Sequence, residues 1–292
     1  MKKSLTLVVA VYNAVRYLEL LFAALLRQSM NDFEVIVADD GSGPEIRKLI
    51  ETVTPQSSFP IIHLWHEDAG FRKNVMLNKA INASQTDYLV FIDGDCLPHR
   101  QFLHDHSQNR RPNSLLCGRR VNLSKDITDR LTLEDVRSGR YEKLSWALLF
   151  DGLLARSTNL EDAVRIENGF IRRLLHRNKA RILGCNFSVE KKLLERINGF
   201  NEDYRAPGLG EDSDIAFRLA LTGVQLMSLR YLAVLLHLYH PRTVVEDANK
   251  ELYERVLASQ NALCRNGLRE IEHLKLSSKD FGSQGGKVYT KS

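Results

Sequence analysis

No apolar run in the 292 residues approaches the ~20 needed to span a bilayer. The first residues are basic and then apolar, but polar Tyr12-Asn13 follow too soon for a secretory signal. Cysteine is scarce. Cys96, Cys117, Cys185 and Cys264 lie far apart and form no CxxC pair, which excludes a zinc ribbon and a disulfide framework and fits a reducing cytoplasm. Basic residues cluster only in Arg110-Arg111, Arg119-Arg120 and Arg172-Arg173. No stretch interleaves them with aromatics, so nucleic acid is not an expected partner. No internal repeat is found.

What is present is ordinary globular material, with 43% hydrophobic and 26% charged residues, enough for a sizeable core. The length suits one α/β domain with insertions. The net charge of +5, with a pI near 9.0, favours an anionic partner: a nucleotide, a phospholipid surface or a phosphorylated glycan.

The order of elements follows from periodicity. Leu5–Val11 is β-branched-rich and reads as a strand buried on both faces, followed by helical spacing over Ala14–Gln28. Phe33–Ala38, Ile61–Trp65 and Tyr88–Ile92 read as further strands, with helices over Glu45–Val53 and Asn74–Ala83 between them. That alternation predicts an α/β fold with a mostly parallel sheet and right-handed crossovers. The segment 119–181 has no strand rhythm and is expected to be helical or irregular material covering a site. A strand over Leu183–Val189, a helix over Lys191–Arg196, a turn at Asn198-Gly199 and a helix over Glu211–Thr222 follow. Strands are then predicted over Val224–Leu229 and Tyr231–Leu236, an amphipathic helix over Val244–Glu272, and a flexible tail from Ser277.

Parallel sheets bind ligands beyond the carboxyl ends of their strands. Here those ends carry Tyr12-Asn13, Asp39-Asp40, His66-Glu67-Asp68 and Asp93-Gly94-Asp95, so polar residues collect on one rim. Two carboxylates on the tight Asp93-Gly94-Asp95 turn repel unless a cation lies between them, and Mg²⁺ or Mn²⁺ completes its shell with substrate phosphates. One such turn alone is as readily an ordinary Asp-Gly turn; four strand ends in register shift the balance. Asp39-Asp40-Gly41-Ser42 reads either as a turn with a helix cap or as a carboxylate that accepts the imide hydrogen of uracil. Arg72 is either a solvated charge or a planar donor to base carbonyls or phosphate. Glu211-Asp212 enters a helix after Pro207-Gly208-Leu209-Gly210, and either complements the helix dipole or supplies a general base. His237 and His240 each bring an imidazole toward the same cation, and the choice between them stays open.

Taken in order, Val9-Ala10-Val11-Tyr12-Asn13, Val37-Ala38-Asp39-Asp40-Gly41-Ser42 and Phe91-Ile92-Asp93-Gly94-Asp95 resemble glycosyltransferase family 2 and its GT-A relatives. His66-Glu67-Asp68-Ala69-Gly70-Phe71-Arg72 with Asn78-Lys79-Ala80-Ile81 is similar to chondroitin-polymerase-like members. Asn198-Gly199-Phe200-Asn201-Glu202 through Gly210-Glu211-Asp212-Ser213-Asp214-Ile215 is similar to the acceptor-side motif of β-1,4-galactosyltransferases. The resemblance covers roughly residues 4–240, with 119–181 unmatched.

The resemblance implies an inverting, metal-assisted transfer from a UDP-sugar of the Gal, GalNAc, GlcNAc or Glc type to a hydroxyl of a glycan or lipid-linked acceptor. It implies a nucleotide-sugar half over 1–118, an acceptor and catalytic half over 119–243, and a helical segment over 244–276 before the tail at 277–292. By the same likeness Ala10, Tyr12, Asn13, Asp39, Asp40, Arg72, Asp93 and Gly94 bind the donor. Asp95, with Asp93 and His237 or His240, holds Mn²⁺ or Mg²⁺, and Asp212 with Glu211 acts on the acceptor. A cytoplasmic enzyme with peripheral contact to an anionic membrane is the expected setting. The rivals are a nucleotidyltransferase, which would want a glycine-rich loop where Ala10–Tyr17 has no glycine, and a non-catalytic module that kept the fold.

Overall fold

Every residue of β1 (Leu5–Val11) and β2 (Phe33–Asp39) is buried, as expected for central strands covered on both faces. The computed structural model describes residues 3–143, 146–154, 156–175, 180–208, 210–241, 247–269 and 287–289. The first part alternates β1, α1 (Val15–Leu25), β2, α2 (Pro44–Val53), β3 (Ile61–Trp65), α3 (Lys73–Ala83) and β4 (Tyr88–Asp93). Side chains alternate across β1. Leu5, Leu7, Val9 and Val11 pack with Leu18, Leu21, Phe22 and Leu25 of α1 and with Ile46 and Ile50 of α2. Val8 and Ala10 pack on the other face with Met76, Leu77, Ala80 and Ile81 of α3.

The chain continues through β5 (Cys96–Pro98), α4 (Phe102–Gln108), β6 (Ser114–Cys117) and β7 (Val121–Asn122). The segment beyond contains α5 (Lys125–Arg130), α6 (Leu133–Ser138), α7 (Trp146–Leu153) and α8 (Gly169–Leu175), in line with its expected helical and irregular character. Then come β8 (Phe187–Glu190), α9 (Lys191–Arg196), α10 (Glu211–Leu221), β9 (Gln225–Ser228), β10 (Leu235–His237), α11 (Asp247–Ser259) and β11 (Lys287–Tyr289).

The main sheet has eight strands in the order β11-β3-β2-β1-β4-β8-β6-β9. Strands β3, β2, β1 and β4 run parallel, β8 is antiparallel to both β4 and β6, β9 is parallel to β6, and β11 is antiparallel to β3. This is the GT-A arrangement of a mostly parallel sheet flanked by helices. A second sheet, β5-β10-β7, sets His237 in register with Cys96. That pairing carries the end of β10 to the turn that follows β4.

Several predicted elements are shorter than expected. The strand predicted over Leu183–Val189 begins only at Phe187, because Leu183 to Asn186 closes a turn with the Asn186 N–H on the Leu183 carbonyl at 2.9 Å. The strand predicted over Tyr231–Leu236 is replaced by Leu235–His237, since Tyr231 and Ala233 adopt φ of 65° and 45°, which an extended strand cannot accommodate. The long C-terminal helix is described as Asp247–Ser259 and stops at Gln260, with φ 49°. Residues 244–246 and 270–272 of that prediction lie outside the described residues. Of the tail predicted to be flexible, only Lys287–Tyr289 is described, and it is an edge strand on β3.

Candidate active site

The carboxyl ends of β1, β2, β3 and β4 share one rim. Parallel pairing in register fixes this: Ala10 lies opposite both Ala38 and Asp93. At the end of β4 the Gly94 N–H donates to the Ala10 carbonyl at 2.7 Å, which pins the turn between Asp93 and Asp95 to the end of β1. The Asp95 carbonyl then accepts from the Leu238 N–H at 2.9 Å, tying the turn to the residue after β10.

That tie assembles a donor set. Asp95 Oδ2 lies 3.2 Å from His240 Nε2 and 3.5 Å from His237 Nε2. The ligand atoms of Asp95, Cys96 and His237 fall within 4.8 Å of one another. Burial works against the charge of Asp95, but the hydrogen bond from His240 and the charges of both imidazoles outweigh it and lower its carboxyl to about 2. Burial lowers His237, while the bond to Asp95 raises His240. Burial also pushes the Cys96 thiol well up, so it stays protonated and is a poor ligand. What remains is a carboxylate and imidazoles, a donor set that could hold a divalent cation.

Asp93 points elsewhere, and its partner was not anticipated from sequence. Lys73, the first residue of α3, places Nζ 2.9 Å from Asp93 Oδ1 and 3.0 Å from Glu211 Oε1. Burial opposes the ammonium, yet the two carboxylates outweigh it and hold Lys73 well above the usual lysine range. Burial raises Glu211 despite the lysine beside it. One side chain thus joins the N-terminus of α3, the end of β4 and the N-terminus of α10.

The entry to α10 is shaped by Gly210, whose φ is 98° and whose Cα faces the Tyr204 ring so closely that a Cβ would sit 2.6 Å from it. Asp212 Oδ2 accepts from the Gly184 N–H at 2.7 Å, and Oδ1 accepts from Ser213 Oγ at 3.4 Å. Asp214 faces inward and pairs with Arg218, itself 1% exposed, which donates to the Ile197 and Gly199 carbonyls at 2.8 Å. Asp214 therefore anchors α10 to the Asn198-Gly199 turn.

On the far side of the rim, Asp39 has no exposed surface, and both its oxygens are engaged, by the Ser42 N–H at 2.8 Å and by His63 Nε2 at 2.8 Å. Through these two contacts Asp39 holds the turn after β2. Asp40 is 7% exposed and binds His66 Nε2 at 2.8 Å and the Arg72 N–H at 2.9 Å. Asn13, with φ 50°, locks the same turn by accepting from the Gly43 N–H, while Ser42 Oγ accepts from the Asn13 N–H. Ala10 is almost wholly buried beneath them. Tyr12 is exposed and donates to Asp68 at 2.8 Å, and Trp65 donates to the Ser42 carbonyl at 2.9 Å. Among the described residues the Arg72 side chain reaches the Ala69 carbonyl, at 3.5 Å. Gly41, with φ 94°, lets the loop carrying Asp68 approach, because a Cβ there would lie 2.6 Å from Asp68 Cα.

The site therefore brings together Asp93, Asp95, His237, His240, Glu211 and, through Lys73, the helix that carries Asp212. It leaves Asp39 buried under the rim. Lys73, Gly184, His63 and His66 carry contacts that no spacing rule singled out, although His66 stood on the rim as part of a strand-end motif.

The family model described as glycosyl transferase family 2 matches residues 6–174, and one described as the N-terminal domain of galactosyltransferase matches 174–241. The chain is 23% identical over 235 residues to a chondroitin synthase of Pasteurella multocida, covering 75% of this chain and 23% of that one. It is 25% identical over 233 residues to a chondroitin synthase of Escherichia coli, covering 75% and 32%. The chain thus spans between 23% and 32% of the length of these curated relatives. Among solved structures, the mannosyltransferase PcManGT from Pyrobaculum calidifontis in complex with GDP-Man and Mn²⁺ superposes with a TM-score of 0.53 at 18% identity, covering 83% of this chain and 59% of that one. TarS 1–349 of S. aureus in complex with UDP gives 0.57 at 14% identity, covering 96% and 73%.

Proposed function

Since the chain belongs to glycosyltransferase family 2, we propose that it moves a sugar from a UDP-sugar to a hydroxyl of a glycan or lipid-linked acceptor, inverting the anomeric centre. The observation that carries the reading is the Lys73 bridge between Asp93 and Glu211, which holds the acidic turn after β4 and the acidic start of α10 within one side chain of each other. Solved neighbours that hold UDP or UDP-GlcNAc support a uridine donor, and GDP-Man in another keeps the base a matter for assay.

Asp95 and His237 would hold a Mn²⁺ or Mg²⁺ ion, whose charge would stabilise the departing diphosphate. His237 is the better ligand of the two histidines, because burial lowers its pKa and favours the neutral imidazole a metal needs, whereas the bond to Asp95 raises that of His240. Asp93 would orient the ribose, with Lys73 fixing its carboxylate. Tyr12 would flank the base from its exposed position, and Asp40 with Arg72 would border it.

Asp212 is the proposed base. The Gly184 N–H holds one of its oxygens, and the Ser213 hydroxyl touches the other over a longer distance. In that place Asp212 can take the proton of an acceptor hydroxyl as its oxygen attacks the anomeric carbon. Glu211 is committed to Lys73 and serves as its counter-charge. The net charge of +5 supports work at an anionic membrane face.

The test pairs donor binding with turnover across UDP-, GDP-, CMP- and dTDP-sugars with and without Mn²⁺. Asp212→Asn should keep the donor-induced rise in Tm and lose about 10²-fold or more in transfer rate. Asp95→Ala should lose the Mn²⁺-dependent part of that rise. Near-normal turnover by Asp212→Asn would remove it as the base.

A further inference from the structure

Two short helices in the segment between the acidic turn and α10 turn their apolar sides outward. On α7 and the residue after it, Leu149, Phe150, Leu153 and Leu154 follow an i, i+1, i+4, i+5 spacing that places them on one side, and all are exposed, Leu153 by 82%. On α8, Phe170, Ile171, Leu174 and Leu175 repeat that spacing and exposure, with Phe170 at 73%. Stripes of this kind are rare on a surface that meets only water.

Both helices are anchored from behind. Leu148 of α7 is buried in the cluster that holds Val121, Tyr141 and Leu236. Arg172 of α8 folds back onto the Ile166 and Glu167 carbonyls at 2.8 and 2.7 Å, and the Asn168 side chain accepts from the Phe170 and Ile171 N–H groups. Leu148 and Ala163 line one small cavity, so α7 and the approach to α8 are neighbours.

Charge identifies the occupant. From Arg172 to Arg181 the chain carries Arg172, Arg173, Arg177, Lys179 and Arg181 and no acid. The exposed acids just before α8, Glu161 and Glu167, are already paired with Arg230 and Arg165. An apolar stripe joined in sequence to a run of cations without an acid matches a helix lying in the interface of an anionic bilayer. A second copy of the chain would set two basic borders against each other.

We infer that the outward face of α7 and α8 docks on an anionic lipid surface. The inference rests on the membrane contact in the proposed function and gives it a place in the chain. It needs neither donor nor acceptor to be tested. The intact chain is sedimented with phosphatidylcholine vesicles with and without phosphatidylglycerol. Binding should require phosphatidylglycerol and fall as salt rises. Leu153→Ser combined with Leu174→Ser should weaken binding about tenfold or more at unchanged Tm, since both side chains are already in water. Arg173→Glu should weaken it several-fold. Wild-type chain that stays in the supernatant, or a double serine variant that sediments like wild type, overturns the inference. So does a dimer seen by light scattering that the double variant splits, which would assign the face to a second copy. Failure here with intact sugar transfer would leave the catalytic reading standing.

Discussion

Replacing Lys73 by methionine removes a charge but keeps most of the side-chain volume, so the change isolates the ion bridge. The ammonium is 20% exposed, and its partners Asp93 and Glu211 are 24% and 11% exposed. Hydrogen bonds to charged groups contribute roughly 1.5–3 kcal/mol each, and a carboxylate left buried without its cation costs more. With partial exposure taken into account, a loss of about 3 kcal/mol is expected near neutral pH, or about 6 °C in Tm for a chain of this size. The pH dependence has a definite sign. Glu211 is raised by burial, and losing Lys73 raises it further, so its charged form is what destabilises the variant. As pH falls through the carboxylate range Glu211 takes up a proton, and the deficit should shrink. Above that range it should stay full up to the ordinary lysine pKa and then be lost as pH rises toward the raised pKa of Lys73. Thermal melts at about pH 5 and pH 8 read this directly. A cycle adding Glu211→Gln should recover about half the loss, because no unpaired charge then faces Asp93 from α10. A deficit equal at both pH values, or Glu211→Gln adding its full cost to that of Lys73→Met, would refute the bridge.

Three further outcomes follow from the site. Asp39→Asn should lower stability by about 1–3 kcal/mol, because it disturbs a buried bond to His63, while leaving UDP affinity unchanged in calorimetry; weakened UDP binding at intact stability would place Asp39 in the donor site. His240→Ala removes the bond that helps hold Asp95 at about 2. That bond stabilises fully between the unfolded Asp and His pKa values and is lost as pH rises through the raised pKa of His240, so after discounting for exposure the loss should be about 1 kcal/mol near pH 5 and fade in alkaline melts. Gly210→Ala should cost about 1–3 kcal/mol, through its φ of 98° and its contact with Tyr204, and should lower transfer by shifting the start of α10. Melts and single-turnover rates measure both, and an unchanged Tm would show that the turn relaxes freely.

Much of the fold was written in local pattern. The buried runs Leu5–Val11 and Phe33–Asp39, and the helices between the first four strands, followed from periodicities that depend on each segment's own faces. The acidic turn Asp93-Gly94-Asp95 and the helix starting at Glu211 were legible for the same reason. Leu183–Asn186 and Tyr231–Ala233 misled because they are largely apolar yet bent: Cys185, Leu232 and Ala233 belong to the core while the backbone turns around them. Hydrophobicity records burial and says little about φ.

What the sequence determined, then, was the identity of the strand ends and the residue types gathered there, because one parallel sheet must place all its carboxyl ends on one rim. What tertiary structure alone decided was which of those groups are free. Asp39 and Asp40 are adjacent in sequence, yet one is sealed against His63 and the other keeps a small share of its surface. Lys73 meets Asp93 and Glu211 across 20 and 138 positions of chain, distances over which no periodicity carries information. Only the packing of α3, β4 and α10 around a common core brings such charges within reach of one another.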